Sequence, residues 1–86
     1  MIPGKRRYFK DHGEGFSLNE GEYGLHMGCG IWFAVPPGFA TGYANLAKHK
    51  VTCHDDGTIT VSPSILVSNN QQTWHGYLEK GVWREV

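Results

Sequence analysis

The residues best suited to chemistry lie in one short segment, HMGCG, where His26 and Cys29 are separated by two residues and followed by Gly30. This spacing is typical of a zinc knuckle, because a tight turn brings both donors onto one ion while glycine lets backbone N–H groups approach the thiolate. A structural zinc ion needs four nitrogen or sulfur ligands. The other candidate donors in the chain are His75, Cys53, His54 and His49.

If a metal is bound, we predict one structural zinc ion held by His26, Cys29, His75 and Cys53. The simpler alternative is a protein without a cofactor, in which both cysteines are reduced core residues, since free cysteine packs as a small apolar side chain.

Catalytic arrangements are sparse. Cys29 with His75 or His26 would make a nucleophile pair for a minimal metal- or Cys-dependent enzyme, but the sequence supplies no group to orient the histidine. Asp55 and Asp56 are paired carboxylates, yet they precede Gly57 and are explained by turn formation. We therefore predict a protein that is not an enzyme.

Charge is balanced, with eight basic and eight acidic residues and a net charge of zero. This balance argues against a dedicated nucleic-acid-binding protein, whose affinity depends on neutralising phosphates. Four of the basic residues nevertheless fall within the first ten, namely Lys5, Arg6, Arg7 and Lys10. Residues 1–10 are a candidate flexible basic arm, and nucleic-acid binding through this arm is the second functional hypothesis.

Aromatic residues make up 13% of the chain, more than so small a core can cover completely. An exposed aromatic patch indicates a surface for protein contact. The leading hypothesis is therefore a non-enzymatic module that binds another protein, and a homo-oligomer is also compatible. The predicted contact residues are Tyr77, Trp83, Trp74 and Trp32, with Tyr77 and Trp83 at the centre.

Eighty-six residues with twelve glycines and four prolines predict one small domain, residues 1–86, rich in turns and short strands. We expect a mainly β fold, either a small single sheet or an open half-barrel of hairpins. Residues 41–48 are the one candidate for a short helix. The absence of a long apolar segment favours a cytoplasmic protein without membrane contact.

The strands predict how the candidate residues are positioned. Two strands within 22–35 should meet at the knuckle. A hairpin with the loop Asp55-Asp56-Gly57 pairs Cys53 with Ile59, so that Cys53 faces the core. A similar loop, Glu79-Lys80-Gly81, should pair Tyr77 with Trp83 and His75 with Glu85.

Three features of the sequence, the knuckle, the segment TITVSPSI and the segment HGYLEKG, resemble a family of small bacteriophage and bacterial proteins whose function is not known. The family pattern has a Cys-x-x-Cys-Gly knuckle, a central Pro-Ser-Ile, and a second ligand pair of Cys-x-x-His before a closing glycine turn. Here His26 replaces a knuckle cysteine, and Gln72 stands where the second pair would have its cysteine. The resemblance implies a β-rich phage or prophage accessory protein in the host cytoplasm, for example an inhibitor of a host system.

Overall fold

The computed structural model describes residues 1–8, 17–28, 30–39 and 42–86. Nine strands form within these ranges. They are β1 (Ile2–Pro3), β2 (Lys5–Arg7), β3 (Glu22–His26), β4 (Ile31–Ala34), β5 (Ala44–Asn45), β6 (Lys50–Cys53), β7 (Ile59–Ser68), β8 (Thr73–Glu79) and β9 (Val82–Glu85).

The strands divide between a five-stranded sheet, in the order β1-β9-β8-β7-β6, and a four-stranded sheet, in the order β2-β3-β4-β5. The prediction of a mainly β fold is confirmed. The candidate helix at 41–48 instead contains the short strand β5, with Thr41 outside the described residues. No helix of a length and apolarity needed to cross a membrane occurs in the described part of the chain.

Both sheets contribute to one hydrophobic core. Its members are Tyr23, Ala34, Val35, Phe39, Ala44, Leu46, Ile59, Val61, Ile65, Trp74, Leu78 and Trp83. The rings of Trp74 and Trp83 meet edge to face with centroids 5.3 Å apart. Full burial of one large apolar or aromatic side chain contributes about 1.5–3 kcal/mol to the free energy of unfolding. This core is therefore the main source of stability.

The first hairpin has the predicted register, with Cys53 opposite Ile59. The N–H of His54 donates to the carbonyl of Thr58 at 2.9 Å, which closes the three-residue loop. Cys53 is nevertheless exposed, so the prediction that it is a core residue is wrong. It is the last residue of β6, the edge strand of the larger sheet, so its side chain has a neighbouring strand on one side only.

The second hairpin does not have the predicted register. Lys80 and Gly81 form a two-residue turn, with φ angles of 49° and 76°. Trp83 is therefore opposite Leu78, and Tyr77 is opposite Arg84. Positive φ at both turn residues is the signature of a type I′ turn, whose twist matches that of the flanking strands. A shift of one residue turns Trp83 from the solvent face into the core.

The N-terminal residues belong to the fold. Ile2 pairs with Trp83 in the larger sheet, and Lys5–Arg7 run parallel to β3 in the smaller one. Residues 2–7 are thus not the flexible arm that the sequence suggested. Lys10 lies outside the described residues.

Candidate protein-contact site

One group of interface-type side chains is held together near the N-terminus. The guanidinium of Arg6 lies 4.5 Å from the ring centroid of Tyr8 and 4.9 Å from that of Trp32. We refer to these three residues as the arginine–aromatic cluster. Tyr8 is 68% exposed, whereas Trp32 is half-buried and packs against the core.

Several elements of the fold position this cluster. Arg6 is the central residue of β2 and pairs with Tyr23, while Trp32 belongs to β4 and pairs with Leu25. Partner residues on neighbouring strands point to the same face of a sheet. Arg6 therefore points to the side of the smaller sheet that carries its partner, the buried Tyr23. The cluster therefore lies at the margin of the core.

A hydrogen bond connects the cluster to the larger sheet. Nη1 of Arg6 donates to the carbonyl of Gly57 at 2.9 Å. Nε of the same arginine is buried without a hydrogen-bond partner. The guanidinium is thus positioned by the two rings and one carbonyl. Contacts between arginine and an aromatic face contribute about 0.5–2 kcal/mol, depending on desolvation.

The ionisation of Tyr23 is also affected at this site. Burial raises the pKa of its hydroxyl, Arg6 opposes this by lowering the pKa, and Asp56 and Tyr8 raise it further. Tyr23 therefore remains protonated at neutral pH. Its role here is that of a core side chain beside the cluster, because it is 1% exposed.

The other basic residues of the predicted arm are used differently. Arg7 forms an ion pair of 3.1 Å with Glu22, whose Oε1 also accepts a hydrogen bond of 2.7 Å from the N–H of Asn19. Lys5 is exposed. Arg6 and Arg7 are therefore engaged within the molecule.

The predicted aromatic surface on β8 and β9 is not present in the expected form. Trp83 is 1% and Trp74 5% exposed, so neither is open to a partner. Only Tyr77 remains partly exposed, with the guanidinium of Arg84 4.6 Å from its ring centroid. Arg84 also forms an ion pair of 3.2 Å with Glu79.

The candidate metal ligands occupy different parts of the fold. His26 ends β3 in the smaller sheet, whereas His75 and Cys53 belong to the larger one. No group of three or more histidine, cysteine or acidic side chains suited to a metal occurs among the residues that the structure describes. Cys29 lies outside them, so the zinc site remains a prediction.

Two histidines, His75 on β8 and His49 immediately before β6, interact with hydroxyl and carbonyl oxygens. His75 Nε2 lies 2.9 Å from Ser64 Oγ, in place of the expected pairing with Glu85. His49 Nε2 lies 3.2 Å from the carbonyl oxygen of Ser64 and acts as a donor, since that oxygen can only accept.

One cavity has a volume of about 540 Å³. Its described lining comprises Ser17, Leu18, Asn19, Glu20, Val35, Phe39, Gly42 and Tyr43. The Glu20 carboxylate already accepts a hydrogen bond of 2.9 Å from the N–H of Gly38. This lining does not bring a histidine or cysteine next to the carboxylate.

No protein-family model matches this chain, and comparisons with curated proteins and with solved structures likewise return no match. The arginine–aromatic cluster thus has to be interpreted from its own geometry. Sequence reasoning identified Trp32 and Arg6 separately but missed Tyr8. The sequence did contain a signal for Tyr8. It is two residues from Arg6, and in a strand this spacing places two side chains on the same face.

Proposed function

We propose that the protein is a non-enzymatic binding module that recognises another protein through the arginine–aromatic cluster. The observation that carries this proposal is the arrangement of Arg6 between the rings of Tyr8 and Trp32, which leaves Tyr8 68% exposed. Tyrosine, tryptophan and arginine are the residue types most enriched in the energetic centres of protein interfaces.

Preorganisation supports the same function. Immobilising a flexible side chain on binding costs about 0.5–1.5 kcal/mol. In this cluster the stack and the hydrogen bond to Gly57 already hold Arg6 in the free protein. A partner that contacts Tyr8 therefore orders fewer side chains. The complementary surface would offer an apolar pocket for the tyrosine ring and a polar group for its hydroxyl.

Charge favours a protein over a nucleic acid as the partner. The net charge is zero, Arg7 is paired with Glu22, and Arg6 already donates to a carbonyl. Few cations are left in this region to neutralise phosphates. The phage or prophage setting, and the assignment of the partner to a host, rest on the sequence resemblance alone and remain predictions.

The test is affinity capture from bacterial lysate with the wild-type protein, Tyr8→Ala and Leu66→Ala. Leu66 is 67% exposed on β7 in the other sheet and provides a matched loss of exposed apolar surface. We expect one polypeptide to be retained by the wild type and by Leu66→Ala. Its affinity for Tyr8→Ala should be lower by about 30-fold or more, the loss expected at an interface hot spot.

Arg6→Lys refines this test, because lysine keeps the charge but loses the planar group that stacks between two rings. Binding should weaken although Tyr8 is intact. Equal capture by the wild type and Tyr8→Ala would contradict the proposal. So would recovery of nucleic acid as the only ligand retained through the cluster.

A further inference from the structure

The edge strand β6 carries the features of a site for pairing with another strand. It spans Lys50–Cys53 and ends the larger sheet in the described part of the chain. The other edge strands, β1, β2 and β5, have two, three and two residues, so β6 is the longest at four. Neither a proline nor a bulge interrupts it, although these are common devices that protect exposed edges.

The register of the first hairpin identifies the unpaired backbone groups. The N–H of His54 donates to Thr58, so His54 and, by alternation, Thr52 and Lys50 direct their hydrogen-bonding groups toward β7. Val51 and Cys53 therefore direct theirs outward. Within the described residues, none of the backbone hydrogen bonds outside the ladders reaches either residue.

The charges at the two ends of this strand are opposite. Lys48 and Lys50 are exposed at its start, and Asp55 and Asp56 are exposed just beyond its end. An antiparallel second copy would bring the basic end of one strand next to the acidic end of the other. The edge is thus self-complementary, as a two-fold symmetric interface requires.

We propose that two copies of this chain associate through antiparallel pairing of their β6 strands, which joins the two larger sheets into one sheet of ten strands. The extended segment 50–54 has Thr52 at its midpoint, and a two-fold axis there places Val51 opposite Cys53 of the other copy. Each of these two pairs exchanges two hydrogen bonds. This association is independent of the proposed binding through the arginine–aromatic cluster.

The interface is small, so the dimer should be weak and reversible. Sedimentation velocity of the wild type from about 10 µM to about 1 mM should show a shift from monomer to dimer, since interfaces of this size give such dissociation constants. High salt should weaken the dimer because the charged ends are exposed. A wild-type protein that stays monomeric over this range would overturn the proposal.

Val51→Pro removes an outward N–H and leaves the hydrogen bonds to β7 in place. The association constant should fall by at least about tenfold, because one intermolecular hydrogen bond is lost from each copy. Val51→Thr is the matched control, since it keeps the N–H and the branched side chain. Unchanged dimerisation of a folded Val51→Pro variant would count against the strand pairing.

Charge variants test the same pairing without altering the backbone. The double variant Lys48→Glu/Lys50→Glu should be monomeric, because both ends of its strand are then acidic. Asp55→Lys should weaken self-association for the converse reason. An equimolar mixture of the two should restore a heterodimer, and a mixture that remains monomeric would exclude the charge-complementary orientation.

Disulfide trapping tests the register. Residues opposite each other in a non-hydrogen-bonded antiparallel pair have Cα atoms about 4.5 Å apart, within the range a disulfide spans. Thr52→Cys, in a background of Cys29→Ser and Cys53→Ser, should form a covalent dimer on mild oxidation. The same background carrying Ser68→Cys, at the far end of β7 and outside the part that pairs with β6, should not. Equal cross-linking of both variants would overturn the register centred on Thr52.

Discussion

The two hairpins have similar sequences but different loops. Asp55-Asp56-Gly57 forms a three-residue loop, whereas Glu79-Lys80-Gly81 contributes only Lys80 and Gly81 to a two-residue turn. Each loop contains a glycine with a positive φ, 90° at Gly57 and 76° at Gly81. A glycine at the end of a loop therefore does not by itself determine the loop length.

The first loop is fixed by local chemistry. Oδ1 of Asp56 accepts hydrogen bonds from the N–H of Thr58 at 3.0 Å and from its hydroxyl at 2.6 Å. The second loop has lysine at the corresponding position and is fixed by distant backbone groups. The N–H of Gly81 donates to Ile59 at 2.9 Å, and its carbonyl accepts from the N–H of Gly4 at 2.7 Å.

Of the substitutions in the two hairpins, Gly81→Ala should lower the free energy of unfolding most. An added Cβ would lie 2.8 Å from the Tyr23 hydroxyl and 2.8 Å from Cγ2 of Thr58, in a backbone conformation that alanine disfavours. The free energy of unfolding should fall by about 2–4 kcal/mol. Urea denaturation measures this change. If Gly81→Ala lowered the free energy of unfolding by less than the equivalent substitution in the first hairpin, the conclusion that distant contacts fix the second loop would be contradicted.

Gly57→Ala is that equivalent change. Among the described residues its Cβ would meet only the hydroxyl of Tyr8, at 2.9 Å, and Tyr8 is exposed and can move. The expected loss is therefore about 1–2 kcal/mol, mainly the cost of a left-handed backbone. Combining Gly57→Ala with Tyr8→Ala separates the backbone cost from the steric contact with Tyr8. In the double variant the contact with the tyrosine is removed, and the cost of the left-handed backbone remains.

Lys80→Asn should stabilise the second hairpin. Lys80 has a φ of 49°, a left-handed conformation that asparagine adopts more readily than lysine. Asn-Gly is also the preferred sequence of a type I′ turn. The free energy of unfolding should rise by about 0.5–1 kcal/mol, as measured by thermal or urea denaturation. Lys80→Ala, which lacks this preference, is the control and should not stabilise.

The smallest expected effect is on the way stability falls at acid pH, and it arises in the first hairpin. The two hydrogen bonds from Thr58 lower the pKa of the Asp56 carboxyl. The folded state thus favours the charged form, so its stabilising contribution is present above the ordinary carboxyl pKa and is lost as the pH falls through the lowered value. In Asp56→Asn this part of the acid dependence should disappear. Asp55→Asn should retain it, as followed by denaturation at decreasing pH.

The first hairpin also explains what the sequence could predict. Its apolar and polar residues separate cleanly in only one register, so Val51, Val61 and Ile59 were placed correctly. In the second hairpin both registers put an aromatic residue on each face. The choice depended on contacts of Gly81 with Ile59 and Gly4, which are 22 and 77 residues away in the sequence. Short-range patterns do not contain this information.

The candidate site was predicted in part. Trp32 was expected to contact a partner, and Arg6 was assigned to a free arm. Their association depends on the parallel pairing of β2 with β3, which brings Arg6 next to Tyr23. Parallel pairs need a long connection and have no turn signature, so the arrangement could not be derived from neighbouring residues.

The pairing of β1 with β9 has a consequence for biosynthesis. Ile2 and Pro3 are synthesised about eighty residues before their partners Trp83 and Val82. Until then the N-terminal strand has no edge to join, and the exposed side of β8 has no β9 to cover it. Strands β6 to β9 are consecutive neighbours and can pair in the order of their synthesis, but β1 cannot join the sheet until the last hairpin is complete. This long-range closure is of the type that slows folding and leaves an unpaired edge open to aggregation in the meantime.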